Sequence, residues 1–147
     1  MTYEFPSFLA GAVTPEAYSR WLARKAAAHV KRDRKRGNRK ATVALYKQAI
    51  HRAVVDSQGR DAYTDEQLNW SLISQYNNAK AKSGGRKYKH AFALLPTVDH
   101  KDDGLGAPDV TISGWRTNDA KHDLSLNEFL VLCTAVLQHH GRKVTPG

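Results

Sequence analysis

Pro96 lies inside the apolar run 91–98 and restricts what that run can become. Its ring fixes φ and removes a backbone donor, so the run suits neither a helix interior nor a central strand and reads as a strand or extended edge. Asp99 and His100 end it. Residues 101–108 carry Gly104 and Gly106 and form a loop, after which 109–113 show the β-branched alternation of a second strand. Residues 118–123 suit a helical turn or two. Ser125 and Glu128 then make a capping box that opens a last helix through Phe129, Leu130, Leu132, Cys133, Val136 and Leu137. The expected order is strand, loop, strand and helix, with a further helix behind the unit.

Two helices precede it. Thr14 as N-cap and Pro15 at the first helical position start one that carries Tyr18, Trp21, Leu22 and Val30 as far as Arg36. Gly37 and Asn38 break it. Val43, Leu45, Tyr46, Ala49, Ile50, Ala53 and Val54 mark a second helix that ends near Gly59. The division expected is therefore a basic helical segment, 1–58, acting as an arm, and an α+β domain, 59–147. Within the latter, 61–68 reads as a turn into a short helix capped by Thr64 or Asp65, with Trp70 in the core. Residues 77–89, centred on Gly84 and Gly85, read as a flexible basic loop.

Charge narrows the partner. The chain of 147 residues has a formal net charge of +9, which favours a polyanion, nucleic acid first and an anionic membrane surface second. Arg24, Lys31, Arg32, Arg34, Lys35, Arg36, Arg39 and Lys40 crowd around a single acid, Asp33, and with Arg86, Lys87, Arg116 and Lys121 they are the expected phosphate contacts. DNA is the first choice and RNA stays open. No apolar run approaches the roughly 20 residues of a spanning helix, and no basic-then-apolar leader opens the chain. A single cysteine, Cys133, excludes an intramolecular disulfide and any Cys-rich zinc site, which fits a reducing cytoplasm. Oligomeric state is open, since no heptad pattern demands a dimer.

The chemistry gathers at the C-terminal unit. Asp99 and His100 end an apolar run, and Asn118 and His122 stand four residues apart on an expected helix, where they would face one way. Such a set can hold one divalent cation beside one base. A neutral His100 suits proton removal from water, while Asp99, Asn118 and His122 supply carboxylate, amide and imidazole ligands to Mg²⁺ or Mn²⁺, with Zn²⁺ or Ni²⁺ admitted by the imidazole. Phosphodiester hydrolysis needs this pairing of activated water and charge stabilisation.

Residues from about 59 to 138 resemble the HNH endonucleases, whose fold is the ββα-metal unit. Asp99-His100 matches the family's pair of metal ligand and catalytic histidine, Asn118 its helix-start ligand, and His122 the extra histidine of colicin-type members. Asn118 to Lys121 also matches the Asn-x-x-Lys helix start of many members. The resemblance implies a metal-dependent DNA endonuclease leaving 5′-phosphate and 3′-hydroxyl ends, with hydrophobic packing replacing the zinc knuckles of other members. Many members carry an imidazole-orienting Asn where this chain has Asp109. The Asp109 carboxylate can accept the imidazole N–H, or a slipped register can give that task to a backbone carbonyl. Two alternatives accompany this reading: a non-catalytic nucleic-acid-binding protein on the same scaffold, and a ribonuclease of the same fold.

Overall fold

The computed structural model describes residues 3–75, 78–101 and 104–145. It is a mixed α and β structure, mostly helical, with one small antiparallel sheet. The elements are α1 (Pro15–Lys35), α2 (Val43–Ser57), α3 (Asn78–Ala91), β1 (Pro96–His100), β2 (Val110–Gly114), α4 (Trp115–Lys121) and α5 (Leu126–His139), with short 3₁₀ turns at Ser7–Leu9 and Trp70–Ser74. Among the described residues no helix is long and apolar enough to cross a membrane.

The first two helices start as the sequence dictates. Thr14 Oγ1 accepts from Ala17 N at 3.1 Å, and Thr42 Oγ1 accepts from Leu45 N at 3.2 Å, caps worth about 1 kcal/mol each. Their apolar faces are not those of an arm. Trp21, Tyr46, Ile50 and Val54 share one buried core with Leu68, Trp70, Val98 and Ile112, so α1 and α2 form a layer against the strands where an appended segment was expected. Trp21 and Trp70 meet edge to face at 5.5 Å, which places Trp70 in the core. The physical reason is apolar area: a helix pair with these aromatic faces gains by covering the sheet.

Gly59 closes α2 and anchors the next segment. Its φ is +84°, and a Cβ there would come within 3.2 Å of the Gln67 and Phe8 side chains, so only glycine fits. The Gly59 carbonyl accepts from Trp70 Nε1 at 3.1 Å. Asp61 then ties the adjoining turn to the sheet: Oδ1 accepts from Tyr63 N at 2.7 Å, and Oδ2 accepts from Gly114 N at 2.8 Å. The helix expected directly after Thr64 begins only at Trp70, because Asp61 holds this stretch in a bridge to β2.

Residues 78–91 form a helix where a loop was expected; Asn77 lies outside the described residues. At Gly85 (φ 55°, ψ −133°) the backbone leaves helical geometry, so the glycine pair parts two helical stretches across a kink, and Tyr88 stacks on Phe92 at 4.4 Å. Of the run 91–98 expected as a strand, 91 ends α3 and 92–94 turn, and Pro96 opens β1 at its first position, where no ladder donor is needed. The register pairs Pro96 with Gly114, Val98 with Ile112 and His100 with Val110. α4 follows β2 without a break. The capping box of α5 is present, Glu128 N donating to Ser125 Oγ at 3.1 Å and Ser125 N to Glu128 Oε1 at 3.0 Å. Yet α5 buries none of its residues, so it does not complete the core as expected.

Candidate active site

On α1, helical spacing aligns Trp21, Leu22, Ala26, Val30 and two polar residues, His29 and Asp33, all buried. His29 faces the end of β1. Its Nδ1 lies 2.5 Å from His100 Nε2, and the Tyr46 ring of α2 stacks on it at 5.5 Å and 14°. Burial, then the nearby Arg32 and Lys25 charges, push the His29 pKa down to about 4. His29 is thus neutral at ordinary pH, and the two rings share one N–H.

Asp33 is fully buried one turn further along. Oδ2 accepts from the Tyr46 hydroxyl, whereas Oδ1 has no hydrogen-bond partner among the described residues. Gly104 (φ +79°) runs beside it, and a Cβ there would stand 2.7 Å from Oδ1. Asn38 Nδ2 donates to the Gly104 carbonyl at 2.8 Å, which fastens the loop between β1 and β2 to the end of α1.

Asp99 alternates with His100 along β1 and turns to the other side. It is buried, and Oδ2 receives both the Tyr63 hydroxyl at 2.6 Å and Lys121 Nζ at 3.2 Å. The pair is nearly dry, with side-chain exposures of 4% for Lys121 and 7% for Asp99. Burial first, and then the Asp99 carboxylate, raise the Tyr63 pKa well above its usual value.

Asp99, His100, Asn118 and His122 line one cleft of about 370 Å³, and Arg32 and Arg36 flank it. Those four expected site residues are therefore neighbours, while His122, Asp109, Lys121 and Arg116 differ in detail from expectation. His122 is not one helical turn beyond Asn118. α4 ends at Lys121, His122 caps it with φ 53° and ψ −125°, and its side chain is 81% exposed beside Asp123 at 3.3 Å. A residue that leaves the helix loses the i, i+4 alignment that made it a ligand. Asp109 is also displaced from its expected role: it stands exposed with a carboxylate oxygen 3.8 Å from Lys101 Nζ, while the His100 Nε2 contact is to His29. Lys121 is buried on Asp99 and cannot offer its charge to a phosphate; Arg116 pairs with Glu66.

The remaining basic residues are placed as surface chemistry requires. Arg24, Lys31, Arg34, Lys35, Arg36, Arg39, Lys40, Arg86 and Lys87 are exposed, and Arg32 is half-buried at the cleft. Among the described residues no three His, Cys, Asp or Glu side chains gather as a metal site. Among the expected ligands that line it, the oxygen donors are the buried Asp99 carboxylate, held at Oδ2 by Tyr63 and Lys121, and the half-buried Asn118 amide. That donor chemistry fits a hard divalent ion.

Sequence reasoning missed His29 and Tyr63 as members of this site. For His29 the signal was present, a titratable residue at a core position of an otherwise apolar helix face. Tyr63 carried no local signal, because only the Asp61 bridge to Gly114 brings it to Asp99. Compared with protein-family models, curated proteins and solved structures, the chain matches none.

Proposed function

We propose that this protein is a metal-dependent endonuclease of the HNH, ββα-metal class that hydrolyses DNA phosphodiester bonds. The observation that carries the reading is the single cleft shared by Asp99, His100 and Asn118 at the end of a β1, β2, α4 succession, flanked by Arg32 and Arg36. Asp99 and Asn118 are the residues that would hold a divalent cation, Mg²⁺ or Mn²⁺ by their oxygen donors. When bound, that ion supplies charge stabilisation on the phosphoryl oxygens.

His100 is the general base. With Nε2 against the neutral His29, the imidazolium formed by proton uptake from water keeps a hydrogen bond to the His29 lone pair. His29 stays neutral down to about pH 4, so it accepts this bond throughout the working range of a nuclease. It takes the orienting task that the sequence assigned to Asp109. Arg32 and Arg36 hold the phosphodiester by charge, and the exposed basic residues of α1 and of the connection to α2 extend that contact along the backbone.

One observation favours the second reading, a binding protein on the same scaffold. Lys121 neutralises Asp99 internally, which weakens its pull on a cation. Supercoiled plasmid separates the two readings. Nicking that requires Mg²⁺ or Mn²⁺ and vanishes in His100→Ala, with DNA retained in a mobility-shift assay, supports the nuclease. Binding with no cleavage across Mg²⁺, Mn²⁺, Ni²⁺ and Zn²⁺ supports the binder, and a parallel series on RNA decides the substrate.

A further inference from the structure

The helix α5 has the composition of a core element and the setting of a surface one. Leu126, Leu130, Val131, Leu132, Val136 and Leu137 are 36–63% exposed, and only Phe129 and Cys133 are half-covered. Exposure on this scale along one helix marks an interaction face. The helix is nonetheless fixed at both ends. The Ser125–Glu128 capping box starts it, and Gly141 (φ +71°) with Arg142 N donating to the Leu137 carbonyl at 2.8 Å ends it in a left-handed cap. It is ready-made for a partner.

We infer that α5 pairs antiparallel with α5 of a second copy of this chain, with Cys133 of each copy at the two-fold axis. Leu126, Leu130, Cys133 and Leu137 recur at spacings of four, three and four residues, the seam of two helices packed side by side. Reversing the sequence about Cys133 sets Phe129 against Leu137, Leu130 against Val136 and Leu126 against His140, so the stripe meets apolar partners everywhere but at its outer end, as a two-fold contact allows. Charge selects the direction. The acids Asp123 and Glu128 stand at the start of α5, and Arg142 and Lys143 follow its end. Antiparallel pairing about Cys133 puts Asp123 opposite Lys143, whereas parallel pairing would stack the basic ends of two chains that already carry +9 each. Opposed helix dipoles act in the same sense.

A lipid surface is the less suited occupant. Helices that lie in anionic membranes carry Lys and Arg along their polar face, and α5 holds neither between Leu126 and His139. A seam 14 residues long spans about 21 Å, short of a standard-sized interface, so association on the order of micromolar is expected. This inference does not depend on the chemistry proposed for the cleft.

Sedimentation velocity from 5 to about 200 µM tests it, with Leu130→Glu as the variant and circular dichroism as the control for folding. The expected result is a concentration-dependent dimer that becomes monomeric in Leu130→Glu at unchanged helicity. Diamide, which accepts the two electrons and two protons released as two thiols join, should trap the wild type as a Cys133–Cys133 dimer at least tenfold more efficiently than the variant. A monomer at every concentration overturns the inference, as does a dimer that survives Leu130→Glu without cross-linking. Wild-type monomer that instead floats with anionic vesicles would assign the face to lipid and overturn it equally.

Discussion

His29 makes the fold sensitive to acid in a way that one substitution removes. Its pKa is about 4 in the folded chain against an ordinary 6.5, because burial and the Arg32 and Lys25 charges disfavour its protonated form. The unfolded chain therefore binds a proton at this position below pH 6.5 while the folded chain does not until about pH 4. Stability is fully present above 6.5 and is lost as pH falls between the two values. The fall from 6.5 to about 4 corresponds to roughly 3.4 kcal/mol in total, of which about 2 kcal/mol is lost between pH 7.5 and pH 5. His29→Gln removes the titration at this position, and the Gln amide oxygen can still accept from His100. Urea unfolding of both proteins at pH 7.5 and pH 5 should then show the wild type losing about 2 kcal/mol more than the variant, near 1 M in midpoint for a slope of about 2 kcal/mol/M. Equal losses in the two proteins, within about 0.5 kcal/mol, would refute the buried neutral pair.

Lys121→Met strands the Asp99 carboxylate beneath Tyr63 and should cost about 3–5 kcal/mol in urea unfolding without metal, while Asp99→Leu combined with Lys121→Met should recover most of that loss. Gly104→Ala forces a Cβ to 2.7 Å from the Asp33 carboxylate at φ +79°, and a cost of about 1–3 kcal/mol is expected in the same assay. In plasmid cleavage, Asn118→Ala should abolish activity and His122→Ala should leave most of it, since His122 points to solvent; the reverse order would restore His122 as a ligand.

Where local rules act, the sequence was legible. Thr14, Pro15 and the Ser125–Glu128 box set helix ends by bonds within a few residues, whereas the strand read across 91–98 begins only at Pro96, after a helix end and a turn. The gathering of Asp99, His100 and Asn118 was also readable, from an order of elements that leaves few ways to arrange them. Residues joined across long separations were not. Nothing local to position 29 announces His100, and Lys121 has the sequence surroundings of a surface cation although Asp99 lies beneath it. His122 failed because helix periodicity does not extend one residue past the end of α4. Gly84 and Gly85 suggest a loop by composition, and they make only a kink between two helical stretches that their neighbours still favour.

The central claim is that His100 takes the proton from the attacking water. Supercoiled plasmid incubated with Mg²⁺ or Mn²⁺ should be nicked by the wild type and cut at least 10²-fold more slowly by His100→Ala, the span expected for loss of a general base, with DNA affinity unchanged within about threefold. Cleavage by His100→Ala at the wild-type rate would contradict it.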